Sequence, residues 1–316
     1  MSNKANKVAL VTGASSGIGE AAALQLQKAG FVVYGAARRV DRMGALAAAG
    51  VRTLALDVTD STSAKSAIDR IIEDEGRIDV LVNNAGYGSY GALEDVPLDE
   101  ARAQIDVNLF GLAHLTQLVL PHMRTRRSGT IVNISSMGGR FATPMGVWYH
   151  ASKFAVEGLS DALRLELKRF GVDVVLIEPG SIHTEWGAIA AGKLRATSGH
   201  GPYAEQAEAM AKSLESSSRE GARMTSPPSV IADAVTKAAT ARRPRIRYRV
   251  GFGARPLILL SRLLPARLRR PHQARLRRTR LTPDPHQPQG KEPWCPVPSS
   301  PAPRPCSSCP PPGPCR

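Results

Sequence analysis

The chain has 316 residues, 42% of them hydrophobic and 22% charged, with a formal net charge of +15 at pH 7. That length carries one large domain or two small ones, and the composition is globular. No apolar run reaches the ~18 residues of a membrane span, and the opening MSNKANKVALVTG enters a strand without the apolar core of a secretion signal, so a membrane or exported protein is set aside and a cytoplasmic location is expected.

Residues 8–12 (VALVT) are a short β-branched run ending in Gly-rich sequence, which predicts a first strand, and 21–29 follows as a helix. The same alternation predicts strands at 32–36, 53–56, 78–82, 129–134 and 172–177. Helices are predicted between them at 41–49, 63–75, 98–122 and 149–170. Short, wholly apolar strands between amphipathic helices mean an α/β protein, a doubly wound parallel sheet covered on both faces, with ligands bound outside the carboxyl ends of the strands. Residues 185–228 break the rhythm with Ala-, Ser- and Gly-rich sequence and one helical patch at 204–215, and are expected to form a substrate loop or lid. A helix at 229–241 and a last strand at 246–250 close the pattern.

After Leu268 the character changes. Residues 266–316 hold ten Lys/Arg against two Asp/Glu, and all four cysteines (Cys295, Cys306, Cys309, Cys315). Segment 269–316 is Pro- and Arg-rich, almost without apolar residues, and is expected to be disordered. The Cys306–Cys309 pair has zinc-ligand spacing, but the prolines around it give no finger or ribbon framework, and no His/Cys/Asp cluster elsewhere has ligand spacing, so no metal is expected. A basic arm for nucleic acid or anionic lipid is a second reading. The favoured one is that the tail is frame-shifted, GC-rich coding sequence, so that residues 1–268 form the working domain. Segment 256–268 is expected to be a C-terminal helix docked on the body rather than a membrane-surface helix.

Gly13, Ser15, Ser16, Gly17, Ile18 and Gly19, in TGASSGIG (12–19), follow the first strand and open a helix. Glycines there permit a tight turn and close approach of a pyrophosphate to the helix N-terminus, although the spacing is GxxxGxG rather than GxGxxG. An acid at the end of the second strand would bind the ribose of NAD; this chain has Ala36-Ala37-Arg38-Arg39 there, and a guanidinium fork suits a 2′-phosphate, favouring NADP(H). Asp57 ends the third strand, placed either to accept from the adenine amino group or to cap the next helix. Tyr149 and Lys153 are four apart on a predicted helix, so a phenol and an ammonium share one face. A nearby positive charge lowers a phenol's pKa, and a Tyr so tuned moves protons near neutral pH.

TGASSGIG (12–19), NNAG (83–86), Asn108 in VNLFG, Ser136 in NISS, YHASK (149–153) and PGSIHT (179–184) occur in that order. Together they resemble the short-chain dehydrogenase/reductase family over about residues 5–250. The resemblance implies a single Rossmann-type domain, a nicotinamide cofactor and a catalytic tetrad of Asn108, Ser136, Tyr149 and Lys153. In it Ser136 bonds the substrate oxygen, Tyr149 is the acid/base, Lys153 lowers the Tyr149 pKa and bonds the nicotinamide ribose, and Asn108 holds water in a proton relay through its side chain or a backbone distortion. Ser135 is the rival to Ser136 that chemistry alone does not separate. The resemblance also implies cofactor contacts at Asp57 and Val58, at Asn84, Ala85 and Gly86 after the fourth strand, at Pro179 and Gly180, and at Ile182 and Thr184, while Asn83 ties the neighbouring strand.

Tyr87, Tyr90, Met145, Trp148 and Trp186 are expected at the pocket mouth, implying a mostly apolar carbonyl or alcohol substrate; His150 and His183 read as incidental. A homodimer or homotetramer through helices 98–122 and 149–170 is expected from the family. The alternative is a non-catalytic NADP-binding regulator or scaffold on the same fold, and a third reading is nucleic-acid binding through the tail.

Overall fold

Strand β1 (Val8–Thr12) is buried along its whole length, which a strand can be only where both faces of its sheet are covered. The computed structural model, which describes residues 6–216 and 223–263, contains that covered sheet. Its other strands are β2 (Val32–Ala37), β3 (Arg52–Ala55), β4 (Val80–Asn83), β5 (Gly129–Ile134), β6 (Val172–Pro179) and β7 (Arg247–Val250). The order is β3-β2-β1-β4-β5-β6-β7, and every pairing is parallel. This is the expected doubly wound, Rossmann-type α/β fold. All of it lies in one unit, Met1–Pro271; a second, His272–Arg316, lies outside the described residues, as does the whole tail expected at 269–316.

The helices are α1 (Gly17–Lys28), α2 (Gly44–Ala48), α3 (Ser61–Glu75), α4 (Leu98–Ile105), α5 (Leu112–Arg126), α6 (Val147–Leu167), α7 (Trp186–Ser198), α8 (Ala204–Ser216), α9 (Ser229–Thr240) and α10 (Ala254–Leu263). Side chains alternate across a strand, so Ala9 and Val11 join Leu26 of α1 and Val235 of α9 in one core, while Val8 and Leu10 join Ile68 of α3 and Leu115 of α5 in the other. Each fully buried Leu, Val or Ile contributes roughly 1.5–3 kcal/mol. A polar ladder pins the centre: Asn83 Nδ2 donates to Asn133 Oδ1 at 2.9 Å and to Thr116 Oγ1 at 3.1 Å, and Asn133 Nδ2 to Ser160 Oγ at 2.9 Å. Asn83 thus ties β4 to its neighbour β5, as expected.

Three elements differ from the sequence reading. The helix expected at 98–122 is α4 and α5 joined by a π-helical turn, Asp106–Gly111, and runs on past Pro121 to Arg126. The helix expected at 41–49 begins as a 3-10 turn, Val40–Met43. The segment 185–228, expected as a loop with one helical patch, carries two helices, α7 and α8; Gly187, Gly192 and a run of alanines hide the period of α7, whose Ala190, Ala191 and Leu194 are buried.

Sheet order reverses beside β1, whose neighbours β2 and β4 lead off to opposite edges. The carboxyl ends of β1 and β4 therefore open a crevice at the switch point.

Candidate active site

The turn from β1 into α1 has left-handed backbone at Gly13 (φ 65°) and Gly17 (φ 59°), a region that disfavours any side chain. A Cβ on Gly19 would strike the Gly13 carbonyl. The turn is fastened to β4: Thr12 Oγ1 accepts from the Asn84 and Ala85 amides, each at 3.0 Å, and Asn84 Nδ2 donates to Thr12 O at 2.9 Å. Ser16, at the N-cap of α1, makes no side-chain cap bond, so the first-turn amides are left to an outside acceptor. Thr184 lies across this turn, its Cγ2 3.2 Å from where a Gly17 Cβ would be. Glycines where a side chain would collide, beside uncapped amides, fit a dinucleotide pyrophosphate.

At the exit of β2, the Arg38 side chain is 73% exposed and its Nη1 lies 4.0 Å from Asp57 Oδ2; Arg39 is exposed too. Asp57 does not cap α3. That cap is Asp60, which accepts from the Thr62 and Ser63 amides at 2.8 and 3.2 Å, while Asp57 Oδ1 takes the Thr59 amide and hydroxyl at 3.0 and 2.7 Å. Burial works to raise the Asp57 carboxyl, but the Thr59 bonds and Arg38 hold it below its ordinary range. Val58 is buried, its Cγ2 2.8 Å from where a Gly111 Cβ would be.

Ser136, Tyr149 and Lys153 come together at the end of β5. Ser136 Oγ accepts from the Gly138 amide at 2.9 Å and is hydrogen-bonded to the Tyr149 phenol. Ser135 faces Glu157 instead, which separates the two serines. Lys153 Nζ, buried, donates to the Ile134 carbonyl at 2.9 Å. Burial raises the Tyr149 phenol above its ordinary value, with the Ser136 bond opposing; the expectation that Lys153 leaves it lowered is not met in this structure. Burial also takes Lys153 itself down to about 8, against the pull of Glu157.

Asn108 sits in the π turn, 1% exposed. Its Oδ1 accepts from the Tyr87 amide at 3.0 Å, and its Nδ2 donates to Tyr87 O at 2.9 Å and Ser152 Oγ at 3.0 Å. The side chain is engaged with protein, and Gly86 leaves room for it: a Cβ there would lie 3.0 Å from Asn108 Oδ1. The backbone distortion expected as one alternative at Asn108 is present, as the π turn. At the end of β6, Gly180 N donates to Val250 O at 2.8 Å, and Ile182 bridges Ser226, holding the segment from Pro179 to Thr184 against β7 and the chain before α9.

Tyr90, Met145 and Trp186 surround Tyr149. Ring centroids lie 5.5 Å from Tyr149 to Tyr90 and 5.2 Å from Tyr149 to Trp186. Met145 has left-handed backbone (φ 63°), and its carbonyl accepts from the Gly91 amide at 2.8 Å, a conformation that persists only where neighbours enforce it. Trp148 does not belong here: it lines an outer recess with Leu98, Ile105 and Phe110. Adjacent helical residues point about 100° apart, so Trp148 and Tyr149 cannot serve one pocket. His150 is not incidental. Its Nδ1 donates to Gly138 O at 2.8 Å and its Nε2 accepts from the Thr143 amide at 2.9 Å, which fixes a neutral tautomer; burial lowers its pKa, outweighing the Gly138 bond. It latches the segment after Ser136 to the residue next to Tyr149, a pairing no local spacing reveals. Among the described residues, no group of three or more His, Cys, Asp or Glu could hold a metal ion, and no helix is long and apolar enough to cross a membrane.

Residues 7–191 match the short chain dehydrogenase family. The chain belongs to that family. Its members are oxidoreductases that use a nicotinamide dinucleotide, NAD or NADP. It is 45% identical over 179 residues to a 3-ketodihydrosphingosine reductase of Bacteroides thetaiotaomicron, a match covering 56% of this chain and 65% of that one, so the shared stretch is just under two thirds of the relative. It is 34% identical to the uncharacterized oxidoreductase YusZ of Bacillus subtilis over 82% of this chain and 94% of that one. The crystal structure of a short-chain dehydrogenase from Streptomyces avermitilis superposes with a TM-score of 0.71 at 33% identity, covering 83% of this chain and 93% of that one. Similar solved structures carry either cofactor. A metagenomic short-chain oxidoreductase in complex with NADP is 30% identical (TM-score 0.60, 77% of this chain and 96% of that one). A Burkholderia phymatum enzyme in complex with NAD is 26% identical (TM-score 0.68, 83% and 93%).

Proposed function

We propose that the protein is an NADP(H)-dependent carbonyl reductase/alcohol dehydrogenase for an apolar substrate, with Tyr149 as its acid/base. The observation that carries this is the Ser136 hydroxyl facing the Tyr149 phenol, with Lys153 buried one turn along the same helix. The cofactor, when bound, supplies or accepts the hydride. Ser136 and Tyr149 both bond the substrate oxygen, which fixes the carbonyl carbon and stabilises charge developing on that oxygen. Tyr149 gives its proton to this oxygen in reduction and takes one back in oxidation. Lys153, as an ammonium, favours the phenolate formed once the proton has left and offers donors to a ribose. The π turn at Asn108 holds the water that replaces the proton. The cradle of residues 13–19, with Asn84, Ala85, Gly86, Pro179, Gly180, Ile182 and Thr184, receives the dinucleotide.

NADP is preferred because the exposed Arg38 and Arg39 offer donors to a 2′-phosphate and the residues that end β2, Ala36 and Ala37, carry no carboxylate to take a ribose hydroxyl. Tyr90, Met145 and Trp186 exclude water from the reacting oxygen and favour an apolar substrate. The relative that reduces 3-ketodihydrosphingosine makes that ketone the first to try. Leu98, Phe110, Val147 and Phe154 are exposed on α4, the π turn and α6, an apolar patch that serves self-association. The test is a screen of the full chain against 3-ketodihydrosphingosine and a panel of apolar ketones and aldehydes, following NADPH and NADH absorbance. Turnover with NADPH exceeding that with NADH is the expected result. Cofactor binding without turnover of any carbonyl would leave a binding protein.

A further inference from the structure

One turn beyond Lys153 on α6, Glu157 is 4% exposed and surrounded by charge. Its Oε2 accepts from Arg140 Nη1 at 3.3 Å and from Arg247 Nη2 at 3.1 Å. The Ser135 hydroxyl faces it from the end of β5. Glu178 of β6, 0% exposed, stands alongside and pairs with Arg247 Nε at 3.1 Å, Arg249 Nε at 2.9 Å and Arg140 Nε at 3.9 Å. Arg247 also reaches Asp161, one turn further along α6, at 2.6 Å. The charged groups that face Glu157 are therefore Lys153 on its own helix, Arg140 from the segment after β5, Glu178 from β6 and Arg247 from β7.

Segment 135–140 carries both Ser136 and Arg140, and it lies directly on α6. A Cβ on Gly139 would stand 2.8 Å from Lys153 O, 2.9 Å from Ser135 Oγ and 3.1 Å from Glu157 Cγ. His150 holds the same segment at Gly138. Ser136 is thus followed by two latches, at Gly138 and Arg140, both from the helix that bears Tyr149 and Lys153. A buried carboxylate survives in such a place only with paired cations and hydrogen bonds, and each of its partners here leads to the active site or to the sheet edge behind it.

We propose that Glu157 is a positioning residue of the active site: it clamps the Ser136-bearing segment to α6 through Arg140, and it sets a negative charge one turn from Lys153. The inference rests on the Tyr149 reading above. Its clamp holds the Ser136 hydroxyl at the phenol, and its charge favours the ammonium form of Lys153, so removing that charge moves the loss of the ammonium to lower pH.

The test compares wild type, Glu157→Gln and Arg140→Gln in the reductive direction, using NADPH and the ketone that wild type reduces fastest in the screen, over a range of pH. Glu157→Gln keeps the shape and removes the charge. The expected result is a kcat lowered at least tenfold with KM for NADPH unchanged, and an alkaline limb of kcat moved to lower pH. Arg140→Gln, which loosens the clamp and keeps the carboxylate, lowers kcat and leaves the limb in place; it decides the matter if Glu157→Gln does not fold. A kcat within twofold of wild type with an unmoved limb in Glu157→Gln, or an unchanged kcat in Arg140→Gln, overturns the proposal. Tyr149→Phe run beside them separates the two claims, since full activity there defeats the reading beneath the inference rather than the role of Glu157.

Discussion

Lys153 carries an ammonium into a place that disfavours it, and that conflict makes the chemistry of the site sensitive to pH. Burial lowers its pKa to about 8, so the group is charged below that value and neutral above it. Tyr149, raised by burial, stays protonated through the same range and remains able to give its proton. Reductive kcat is therefore predicted to be level below pH 8 and to fall as pH rises through about 8; a profile flat to pH 10 would show that Lys153 acts without its charge. The pairing of Tyr149 with Lys153 was legible in the sequence because helical spacing is a local fact, while Ser136 came from the family resemblance, since a strand end does not separate it from Ser135. His150 and Glu157 were not, since their partners lie in a loop and in other strands that only the folded sheet brings near. Trp148 misled because proximity in sequence to Tyr149 is not proximity in direction.

At the scale of elements, strand and helix alternation was readable from apolar runs alone, and the doubly wound sheet followed from it. The π turn was foreseen only as a possible distortion at Asn108: an extra residue in one helical turn leaves the hydrophobic period almost unchanged, so the pattern reads as one continuous helix. Helix α7 was hidden for a different reason, its small residues burying a face without an apolar stripe. The sequence reading offered only Asp57 as a cap for α3, and the structure gives that role to Asp60. Asp60→Ala is predicted to cost about 1 kcal/mol of stability and to lower the melting temperature by about 2–4 °C, with KM for NADPH unchanged. A thermal melt with paired kinetics checks this, and an unchanged melting temperature would contradict the assignment.

For the whole molecule, the order of the strands brings the turn after β1, the exit of β2 and the Ser136–Tyr149 pair to the carboxyl ends of one sheet. We propose that cofactor choice is made at the second of these. A charge-assisted hydrogen bond is worth about 1.5–3 kcal/mol, so Arg38→Asp is predicted to raise KM for NADPH at least tenfold and to lower KM for NADH. Equal effects on both cofactors would place the 2′-phosphate elsewhere. The central claim is that a protein with this arrangement moves a proton through Tyr149, and removing one oxygen atom tests it most directly. In Tyr149→Phe, with its fold verified by circular dichroism and its NADPH affinity by fluorescence, kcat for ketone reduction should fall by roughly 10²–10⁴-fold while the cofactor still binds. Turnover equal to wild type in that variant would contradict the account.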